Sequence, residues 1–386
     1  MPARIKITFI SHDASLSGAP ILLINLVKLL STSGQYKICI IVKRGGPLNE
    51  RFSQAAKTIV LKPAGYRQSG SWLVGIKELF SSRLQLIRAL WNCHRSEVVF
   101  SNTITNGRLL KKVARVNRNI ISYIHELEEA ARVFEEEHDS SLTIRLSRLL
   151  LYPSTAVAAF LKSYYHVPED KLKALPYYFP PMNSGSSSKA AERQWVASVC
   201  KLPVTNRVVL AMGSISHRKG IDLFMETARI VCTQRNDISF VWTGPYENAA
   251  MEKYVQDWLQ QHPGLAVGFT GPRPPAIQNF LCADLFFLSS REDPYPLVVL
   301  EAAYTGLPAI CFSASGGITD FVNDTNGWLI NGFSAGEAAS CIMVAIDQPA
   351  TIITKGERAR QDVLDLHFNE NRIRSSFNQI LSARAH

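Results

Sequence analysis

Two carboxylates eight residues apart, Asp293 and Glu301, form the pattern with the clearest chemical meaning in this sequence of 386 residues. The proline-rich turn Pro294-Tyr295-Pro296 separates the first carboxylate from an apolar run that carries the second. Proline is favoured in the first turn of a helix, because its missing N–H would have no partner there. The turn therefore predicts a helix start, with Asp293 in the loop before it and Glu301 about one and a half turns inside.

A helix start flanked by carboxylates suits a ligand that carries both phosphate and hydroxyl groups. The N–H groups of Leu297 and Val298, which follow Pro296, would be unbonded, and with the helix dipole they favour a phosphate. Asp293 and Glu301 can accept hydrogen bonds from sugar hydroxyls. A nucleotide-sugar offers both kinds of group, so the stretch predicts a nucleotide-sugar site. Glu301 taken alone is more typical of an ordinary proline-initiated helix, whereas the whole run favours the ligand site.

The stretch resembles the paired-carboxylate motif of the retaining nucleotide-sugar glycosyltransferases of family 4. The resemblance continues through three further segments: Glu301-Ala302-Ala303-Tyr304-Thr305-Gly306-Leu307-Pro308, Gly316-Gly317-Ile318-Thr319-Asp320 and Asn326-Gly327-Trp328-Leu329.

The match departs from the family at two positions. Asp293 stands where the family usually has Glu, with Glu292 beside it as a substitute, and Asp320 stands where the family often has Glu. Which of Asp293 and Glu292 contacts the transferred sugar stays open.

A basic loop, Gly213-Ser214-Ile215-Ser216-His217-Arg218-Lys219-Gly220, follows a predicted strand and opens a helix. Its glycines permit a tight turn, and Arg218 and Lys219 place cations beside the helix start, which suits a diphosphate. The loop resembles the family's phosphate loop, in which the lysine contacts the donor phosphates. Ser214 stands where the family often has a second basic residue, so Arg218 is a candidate replacement. The alternative is a solvated basic loop.

Three weaker patterns complete the predicted donor site. Gly316 and Gly317 are small residues whose N–H groups could reach the diphosphate or sugar. Arg273 follows a strand end, in a turn that resembles the one lining the base pocket, and could stack on the base or be an exposed turn arginine. Gly18 and Ala19 start the first predicted helix and resemble the donor-side glycine loop of the family.

His125, at the end of a predicted strand, is the candidate for the acceptor side. The segment Ile124-His125-Glu126 resembles the family's histidine segment, in which the histidine contacts the donor sugar or orients the acceptor hydroxyl. A lone histidine at a strand end is also common in purely structural roles. His12 with Asp13 is a lesser alternative as a catalytic base, as in inverting members of the same architecture.

The resemblance implies an enzyme that transfers a sugar from a nucleotide diphosphate sugar to a hydroxyl of a saccharide or lipid-linked acceptor, in polysaccharide or glycoconjugate biosynthesis. Configuration would be retained, by attack from the leaving-group side, with the phosphate taking the acceptor proton. The expected catalytic residues are His125, Asp293, Glu292 and Lys219. No Asp-x-Asp motif is present, so we expect neither a metal nor a cofactor beyond the donor substrate.

Two other classes of function stay open. A catalytically idle nucleotide-sugar-binding subunit or sensor would explain the aspartate at position 293. A dehydrogenase or epimerase with two dinucleotide folds is disfavoured, because the sequence has no Gly-x-Gly-x-x-Gly fingerprint after its first strand.

Strand-like and helix-like runs alternate along the whole chain, which predicts two doubly wound, Rossmann-like α/β domains with the ligand in the cleft between them. The resemblance implies the same architecture, called GT-B. We expect an acceptor-side domain at 1–182, a linker at 183–195, a nucleotide-sugar domain at 196–368 and a final helical segment at 369–386 that crosses back to the first domain.

The predicted elements follow that alternation. The strands are Arg4–Ile10, Tyr36–Val42, Thr58–Leu61, Glu97–Ser101, Ile120–His125, Leu149–Ser154, Arg207–Met212, Ile238–Thr243, Ala266–Thr270, Asp284–Ser289 and Pro308–Phe312. The helices of the first half are Ala19–Leu30, Gly75–Cys93, Thr105–Val116 and Thr155–Tyr165.

The net charge of +10 favours an anionic partner, but no nucleic-acid recognition motif is visible, so we expect no nucleic acid. Two basic amphipathic stretches, 76–95 and 108–118, suit packing on a sheet and also suit peripheral contact with an anionic membrane. Seven scattered cysteines and the lack of a signal peptide or membrane span predict a cytoplasmic location, with contact at the inner face of the membrane.

Overall fold

The computed structural model describes residues 4–63, 72–135, 138–182, 187–274 and 276–382, with backbone alone for 72–80 and 276. The chain forms two compact units. The first comprises Met1–Pro180 with His367–His386, and the second comprises Pro181–Leu366.

Each unit is built on a parallel sheet. Within the described residues, the seven strands of the first unit lie in the order β3-β2-β1-β4-β5-β6-β7, and the six strands of the second lie in the order β10-β9-β8-β11-β12-β13. The strands are β1 Ile5–Ser11, β2 Tyr36–Arg44, β3 Lys57–Lys62, β4 Val98–Asn102, β5 Ile120–Tyr123, β6 Leu149–Tyr152, β7 Leu172–Ala174, β8 Arg207–Met212, β9 Ile238–Thr243, β10 Val267–Gly271, β11 Leu285–Leu288, β12 Ala309–Phe312 and β13 Gly327–Ile330.

Helices connect the strands, as parallel pairing requires. They are α1 Gly18–Ser31, α2 Asn49–Ala55, α3 Trp72–His94, α4 Gly107–Val113, α5 Glu128–Glu135, α6 Asp139–Leu146, α7 Thr155–Tyr165, α8 Lys189–Cys200, α9 Ile221–Gln234, α10 Ala249–Gln261, α11 Ala276–Phe280, α12 Leu297–Tyr304, α13 Ala335–Ile346, α14 Pro349–His367 and α15 Glu370–Ser382. The prediction of two parallel α/β domains is confirmed.

Both sheets reverse their strand order beside their first strand, between β1 and β4 in the first unit and between β8 and β11 in the second. Loops that leave adjacent strands in opposite directions open a crevice at such a point, which is where doubly wound folds bind ligands. The loop after β8 carries Lys219, and the loop after β11 carries Asp293, so the predicted donor residues of the second unit lie at its switch point.

The core of the second unit explains why these loops are held firmly. Phe224 of α9 packs edge-on against Phe240 of β9 and Trp242, with ring centroids 5.6 and 5.0 Å apart. The ring of Phe287 of β11 stacks against that of Phe224 at 6.3 Å. Large apolar side chains from α9, β9 and β11 thus pack together beneath the loops that follow these strands.

Helix α15 packs within the first unit. Phe377 is fully buried, and its ring lies 6.4 Å from Phe9, 5.9 Å from Phe100 and 6.0 Å from Tyr36. Arg374 donates a hydrogen bond of 2.7 Å to the hydroxyl of Thr32 at the end of α1. Helix α15 therefore covers one face of the first sheet at strands β1 and β4.

Several elements differ from the sequence-based expectations. Strands β7 and β13 were not predicted, because β7 has only three residues and β13 starts inside the Asn-Gly turn signal. The helix expected over Thr105–Val116 is shortened to α4. Helix α8 occupies the second half of the stretch predicted as a linker, because Ser188 caps it by accepting a hydrogen bond of 3.2 Å from the N–H of Ala191.

The described part of the chain offers neither a membrane-spanning helix nor a cluster of metal ligands. None of its helices is both long enough and apolar enough to cross a membrane. No group of three or more His, Cys, Asp and Glu side chains in it is placed to hold a metal ion.

Candidate functional site

An ion pair joins the two loops at the switch point of the second unit. The ammonium of Lys219 contacts the carboxylate of Asp293, and both side chains are largely buried, at 17% and 8% exposure. The guanidinium of Arg218 donates to the backbone oxygen of Glu292 at 2.7 Å. The sequence thus correctly selected residues that come together, and the structure adds that the lysine and the aspartate neutralise each other.

Backbone hydrogen bonds lock the loops around that pair. The N–H of Arg291 donates to the oxygen of Arg218 at 2.9 Å, and the N–H of Asp293 donates to the oxygen of Ser315 at 2.7 Å. The N–H of Gly317 donates in turn to the oxygen of Asp293 at 3.1 Å. Loops after β8, β11 and β12 are therefore joined at Asp293, which places this residue at the centre of the site.

Gly220 makes the close approach of these loops feasible. It caps α9 with φ of 74°, a left-handed conformation that glycine adopts without strain. A Cβ on Gly220 would lie 1.9 Å from the backbone oxygen of Ser289. The hydroxyl of Ser289 also donates to the oxygen of Lys219 at 3.0 Å, so only a residue without a side chain fits here.

A second ion pair joins the loop after β11 to the first turn of α9. The guanidinium of Arg291 binds both carboxylate oxygens of Asp222, at 2.7 and 2.6 Å. Burial is the largest single influence on the pKa of Asp222 and raises it. The hydrogen bonds and the charge of Arg291 together outweigh burial, so the pKa of Asp222 lies below its usual value. This pair could not be predicted from the sequence, because nothing in the spacing of residues 222 and 291 indicates it.

Glu301 has a different environment from Asp293. Helix α12 starts at Leu297, so Glu301 lies just over one turn inside it, close to the predicted position. Burial raises the pKa of its carboxyl to about 7. Within the described residues the carboxyl makes no hydrogen bond or ion pair. Glu301 is half-buried, and a carboxyl there without a protein partner can accept a hydrogen bond from a ligand hydroxyl.

The start of α12 offers further polar groups beside Asp293. Pro296 occupies the cap position, and no side chain caps the helix, so the N–H groups of Leu297 and Val298 have no intrahelical acceptor. The hydroxyl of Ser315 is buried and makes no hydrogen bond among the described residues. Sequence reasoning missed Ser315, since a serine before two glycines carries no distinctive signal.

Gly316 and Gly317 share the turn with Ser315, but only one of their N–H groups is available. The N–H of Gly317 already donates to Asp293, as described above, so its predicted contact with a diphosphate conflicts with the observed hydrogen bond. Gly316 has φ of 120°, a conformation that favours glycine, and forms the bridge to Asp293. The two glycines therefore connect the loop after β12 to Asp293.

Arg273 is partly buried, so it is not an exposed turn residue, and its stacking on a base stays a prediction. Its guanidinium forms an ion pair with Glu192 and lies 3.7 Å from the ring centroid of Trp195, both on α8. Its backbone oxygen accepts a hydrogen bond of 2.9 Å from Asn279. The residue ties α8 to the turn after β10, because an arginine can pair with a carboxylate and stack on an aromatic ring at the same time.

In the first unit His125 lies just beyond β5 and has a partner on each ring nitrogen. Nε2 lies 2.8 Å from Oδ1 of Asn102, and Nδ1 lies 3.1 Å from the hydroxyl of Tyr177. The amide nitrogen of Asn102 donates to the oxygen of Ala19 at 2.9 Å, so its oxygen faces the ring. His125 must then carry its proton on Nε2 and accept at Nδ1.

Burial lowers the pKa of His125 to about 3, which keeps the ring neutral at neutral pH. Its neighbour Glu126 accepts backbone hydrogen bonds from His125 at 2.9 Å and Ile104 at 3.1 Å, yet burial still raises its pKa to about 7. Thr103, one residue after β4, has φ of 93°, which is strained for a residue with a side chain. Buried polar groups and backbone strain thus gather at the switch point of the first unit.

The loop before α1 holds Gly18 and Ala19 at the helix start, as predicted, and the oxygen of Ala19 is bound by Asn102. His12 and Asp13, the lesser candidates for a base, contact each other at 3.4 Å. The carboxylate of Asp13 also accepts from the backbone and the hydroxyl of Ser15, at 3.0 and 2.9 Å. Burial lowers the pKa of His12, so this pair orders its own loop and is poorly suited to take up a proton.

Comparison with known families bears directly on the second unit. Residues 206–348 match the family described as glycosyl transferases group 1. The second unit contains a glycosyl transferases group 1 domain. This group 1 domain includes Lys219, Asp293 and Glu301, and it covers less than half of the chain.

Two curated relatives share part of the sequence. Poly(ribitol-phosphate) alpha-N-acetylglucosaminyltransferase of Staphylococcus aureus (strain COL) is 22% identical over 169 residues, which are 43% of this chain and 34% of that protein. D-inositol 3-phosphate glycosyltransferase of Thermobispora bispora is 25% identical over 234 residues, 58% of this chain and 52% of that protein. The chain spans about a third to a half of the length of these relatives.

A solved structure is similar over nearly the whole chain. Anabaena HepE in complex with UDP and glucose aligns over 99% of this chain and 100% of its own, with a TM-score of 0.77 and 18% identity. At this identity the likeness shows the fold. The fold is the GT-B architecture of two Rossmann-like domains, as the sequence predicted.

Proposed function

We propose that this chain is a glycosyltransferase that transfers a sugar from a nucleotide diphosphate sugar to a hydroxyl of a saccharide or lipid-linked saccharide, with retention of configuration and without a metal. The observation that carries the proposal is the cluster at the switch point of the group 1 domain. There the Lys219–Asp293 pair lies in the loops that lead into the uncapped start of α12, and α12 carries the carboxyl of Glu301, which has no partner among the described residues.

Lys219 and Arg218 bind the donor diphosphate in this proposal. The ammonium of Lys219 has three N–H donors, so it can keep its contact with Asp293 and still bind a phosphate oxygen. The N–H groups of Leu297 and Val298, at the positive end of the α12 dipole, add donors for the same charge. As the bond to the sugar breaks, negative charge grows on the leaving diphosphate, and cations already in position stabilise it.

Glu301 holds the ribose hydroxyls of the nucleotide. Its pKa, raised to about 7 by burial, means that a substantial fraction of this carboxyl is protonated at neutral pH. A diol that donates two hydrogen bonds would favour the ionised form and lower this pKa on binding. Donor binding at neutral pH would then release protons to the solvent.

Asp293 or Glu292 orients the transferred sugar. Asp293 lies deeper in the site and is neutralised by Lys219, which makes it a hydrogen-bond acceptor for sugar hydroxyls and a poor covalent nucleophile. Retention then follows from attack on the face from which the diphosphate leaves, with a phosphate oxygen taking the acceptor proton.

The role that we assign to His125 is to orient groups and not to accept a proton. Both of its nitrogens are engaged, and its pKa lies near 3. Such a ring cannot serve as a general base at neutral pH without losing a hydrogen bond. This supports a transfer in which the proton passes to the donor phosphate.

The acceptor class is proposed from the relatives. The S. aureus protein is named for poly(ribitol-phosphate) and the T. bispora protein for an inositol phosphate, both polyhydroxylic phosphates. An acceptor of this kind fits the net charge of +10. Polysaccharide or glycoconjugate biosynthesis in the cytoplasm is the setting that we propose, on the grounds of the sequence.

The first experiment is a thermal-shift panel with UDP, GDP, ADP, CMP and NAD. UDP is expected to raise the melting temperature, since HepE was solved with UDP and since ligand binding stabilises the folded state by mass action. Lys219→Ala should abolish the shift, while Lys253→Ala, an exposed lysine of the same unit paired with Asp257, should retain it. A shift with NAD alone would contradict the proposal.

A second experiment tests retention. With no acceptor present, slow hydrolysis of the donor sugar is followed by proton NMR, which resolves the two anomers of the released sugar. The anomer that appears first should match the donor, and EDTA should leave the rate unchanged. Release of the opposite anomer would contradict retention, and loss of rate in EDTA would contradict metal independence.

The Lys219–Asp293 contact also favours a second candidate, a nucleotide-sugar-binding subunit without catalysis, because each charge already has its partner. That protein would bind UDP in the first experiment and show neither hydrolysis nor transfer in the second. The two experiments together therefore separate the candidates.

A further inference from the structure

Helix α3 of the first unit has a second apolar face, which is exposed among the residues that the structure describes. Its inner side, with Ala89 and Cys93, is buried in the core. On the outer side Leu84, Ile87 and Trp91 are 45%, 63% and 59% exposed. Their spacing of three and four residues places them in one row along the helix. Large exposed side chains in a continuous row mark an interaction surface more often than scattered ones do.

Arginines surround this row. Arg83 and Arg88 are exposed on the same helix, and Arg95 directly follows its last residue. The guanidinium of Arg95 lies 5.8 Å from the ring centroid of Trp91. We call the set Arg83, Leu84, Ile87, Arg88, Trp91 and Arg95 the arginine–tryptophan face.

The segment after α4 extends the same surface. His94 Nδ1 lies 3.4 Å from the backbone oxygen of Val116, which brings this segment against the end of α3. Val116 is 37% exposed, and its neighbours Arg115 and Arg118 are exposed cations. The sequence has no Asp or Glu between residues 81 and 96 or between 107 and 120, so neither of these segments carries an acidic side chain.

We propose that the arginine–tryptophan face docks the first unit on a lipid bilayer that contains anionic lipid. Aliphatic tips and a tryptophan ring can enter the boundary between headgroups and acyl chains, while the arginines remain at the level of the lipid phosphates. A single-stranded nucleic acid would require several aromatic platforms for its bases, and this surface has one. The complementary charge therefore selects an anionic membrane. The inference goes beyond the proposed transfer reaction and does not depend on it.

The test is co-sedimentation of the full chain with vesicles of phosphatidylcholine alone or mixed with phosphatidylglycerol. Binding is expected only to the anionic vesicles and should weaken at high salt. Arg88→Gln with Arg95→Gln should lower the partition coefficient about 25-fold, since each basic residue near such a surface contributes roughly a factor of five. Trp91→Ala should also weaken binding, and brominated lipid should quench the fluorescence of the parent protein more than that of Trp91→Phe.

Lys37→Gln with Arg51→Gln is the matched control, because both residues are exposed cations of the same unit outside this face. It should bind vesicles to within about twofold of the parent protein, allowing for the same change in net charge. Equal binding by the two double variants, or no binding to anionic vesicles, would overturn the proposal. So would a Trp91-dependent dimer in sedimentation velocity or Trp91-dependent RNA binding, either of which would assign the face to another partner. Nucleotide binding is measured separately, so the outcome does not depend on the transferase proposal.

Discussion

Glu301 is the residue whose burial has the most direct thermodynamic consequence. Its pKa is raised to about 7 in the folded chain, against an ordinary value of 4.5. Between these values the folded state holds the proton and the unfolded state does not. Stability therefore falls as the pH rises from 4.5 to 7 and is constant above, and the loss amounts to at most about 3 kcal/mol.

Glu301→Gln should remove this fall in folding stability between pH 4.5 and 7, because the amide does not titrate. At pH 8 we expect its melting temperature to exceed that of the parent protein by about 3 °C or more, with a much smaller difference at pH 5. UDP binding should weaken at both pH values, because the amide is a poorer acceptor for ribose hydroxyls than a carboxylate. Glu252→Gln, on the exposed side of α10, is the control that should change neither quantity. A variant less stable at pH 8 would show that Glu301 is paired in the folded protein.

His125 gives a second residue-scale prediction, read by NMR. The ring should stay neutral, with its proton on Nε2, from pH 5 to pH 8. Asn102→Asp should raise the pKa of His125, because a carboxylate in place of the amide oxygen stabilises the charged ring. A parent ring that titrates near pH 6.5 would contradict the assignment. His125→Asn identifies the resonance.

The sequence was a good guide to individual residues where a family motif or a turn signal marks them. It selected Lys219, Asp293 and Glu301, which the structure places at one switch point. It could not find the Asp222–Arg291 pair, the orphan hydroxyl of Ser315 or the role of Asn102, because those depend on contacts between distant segments. The same limit applies to Arg273, whose partners Glu192 and Trp195 precede it by about eighty residues in the chain.

At the level of elements, the site depends on how closely the loop after β8 approaches the loop after β11. Gly220→Ala would place a Cβ against the oxygen of Ser289 and force a left-handed residue to carry a side chain. We expect a loss of about 3 kcal/mol or more in urea unfolding, with weaker UDP binding. Gly264→Ala, with φ of 83° and open space, should lose only about 1 kcal/mol. Equal losses would mean that the loop contact is loose.

Element prediction succeeded where the burial of a strand makes its sequence continuous and apolar. Arg207–Met212 and Ile238–Thr243 have the predicted bounds, and so does helix Thr155–Tyr165. It failed for β7, β13 and the short helices α2 and α6, which are too short for periodicity to be visible. Capping explains the boundary at α8, since the serine cluster taken as linker also supplies a helix cap.

For the molecule as a whole, the first unit depends on residues from both ends of the chain. Phe377→Ala should destabilise that unit by about 3–5 kcal/mol, because the ring is fully buried among Phe9, Phe100 and Tyr36. Hydrogen exchange should accelerate in β1 and β4 in particular. Val133→Ala, which is exposed in the same unit, is the control. Unchanged exchange in β1 and β4 would contradict the assigned packing of α15.

The composition of the first unit from Met1–Pro180 and His367–His386 has a consequence for synthesis. Domains generally fold as they leave the ribosome, the N-terminal one first. Here the first sheet emerges early, but the helix that covers Phe9 and Phe100 is translated only after the entire second unit. The apolar surface of the nascent first unit therefore stays uncovered until α15 is translated, and we expect chaperones to bind it until then. A ribosome that stalls before α15 would release a chain prone to aggregation and proteolysis.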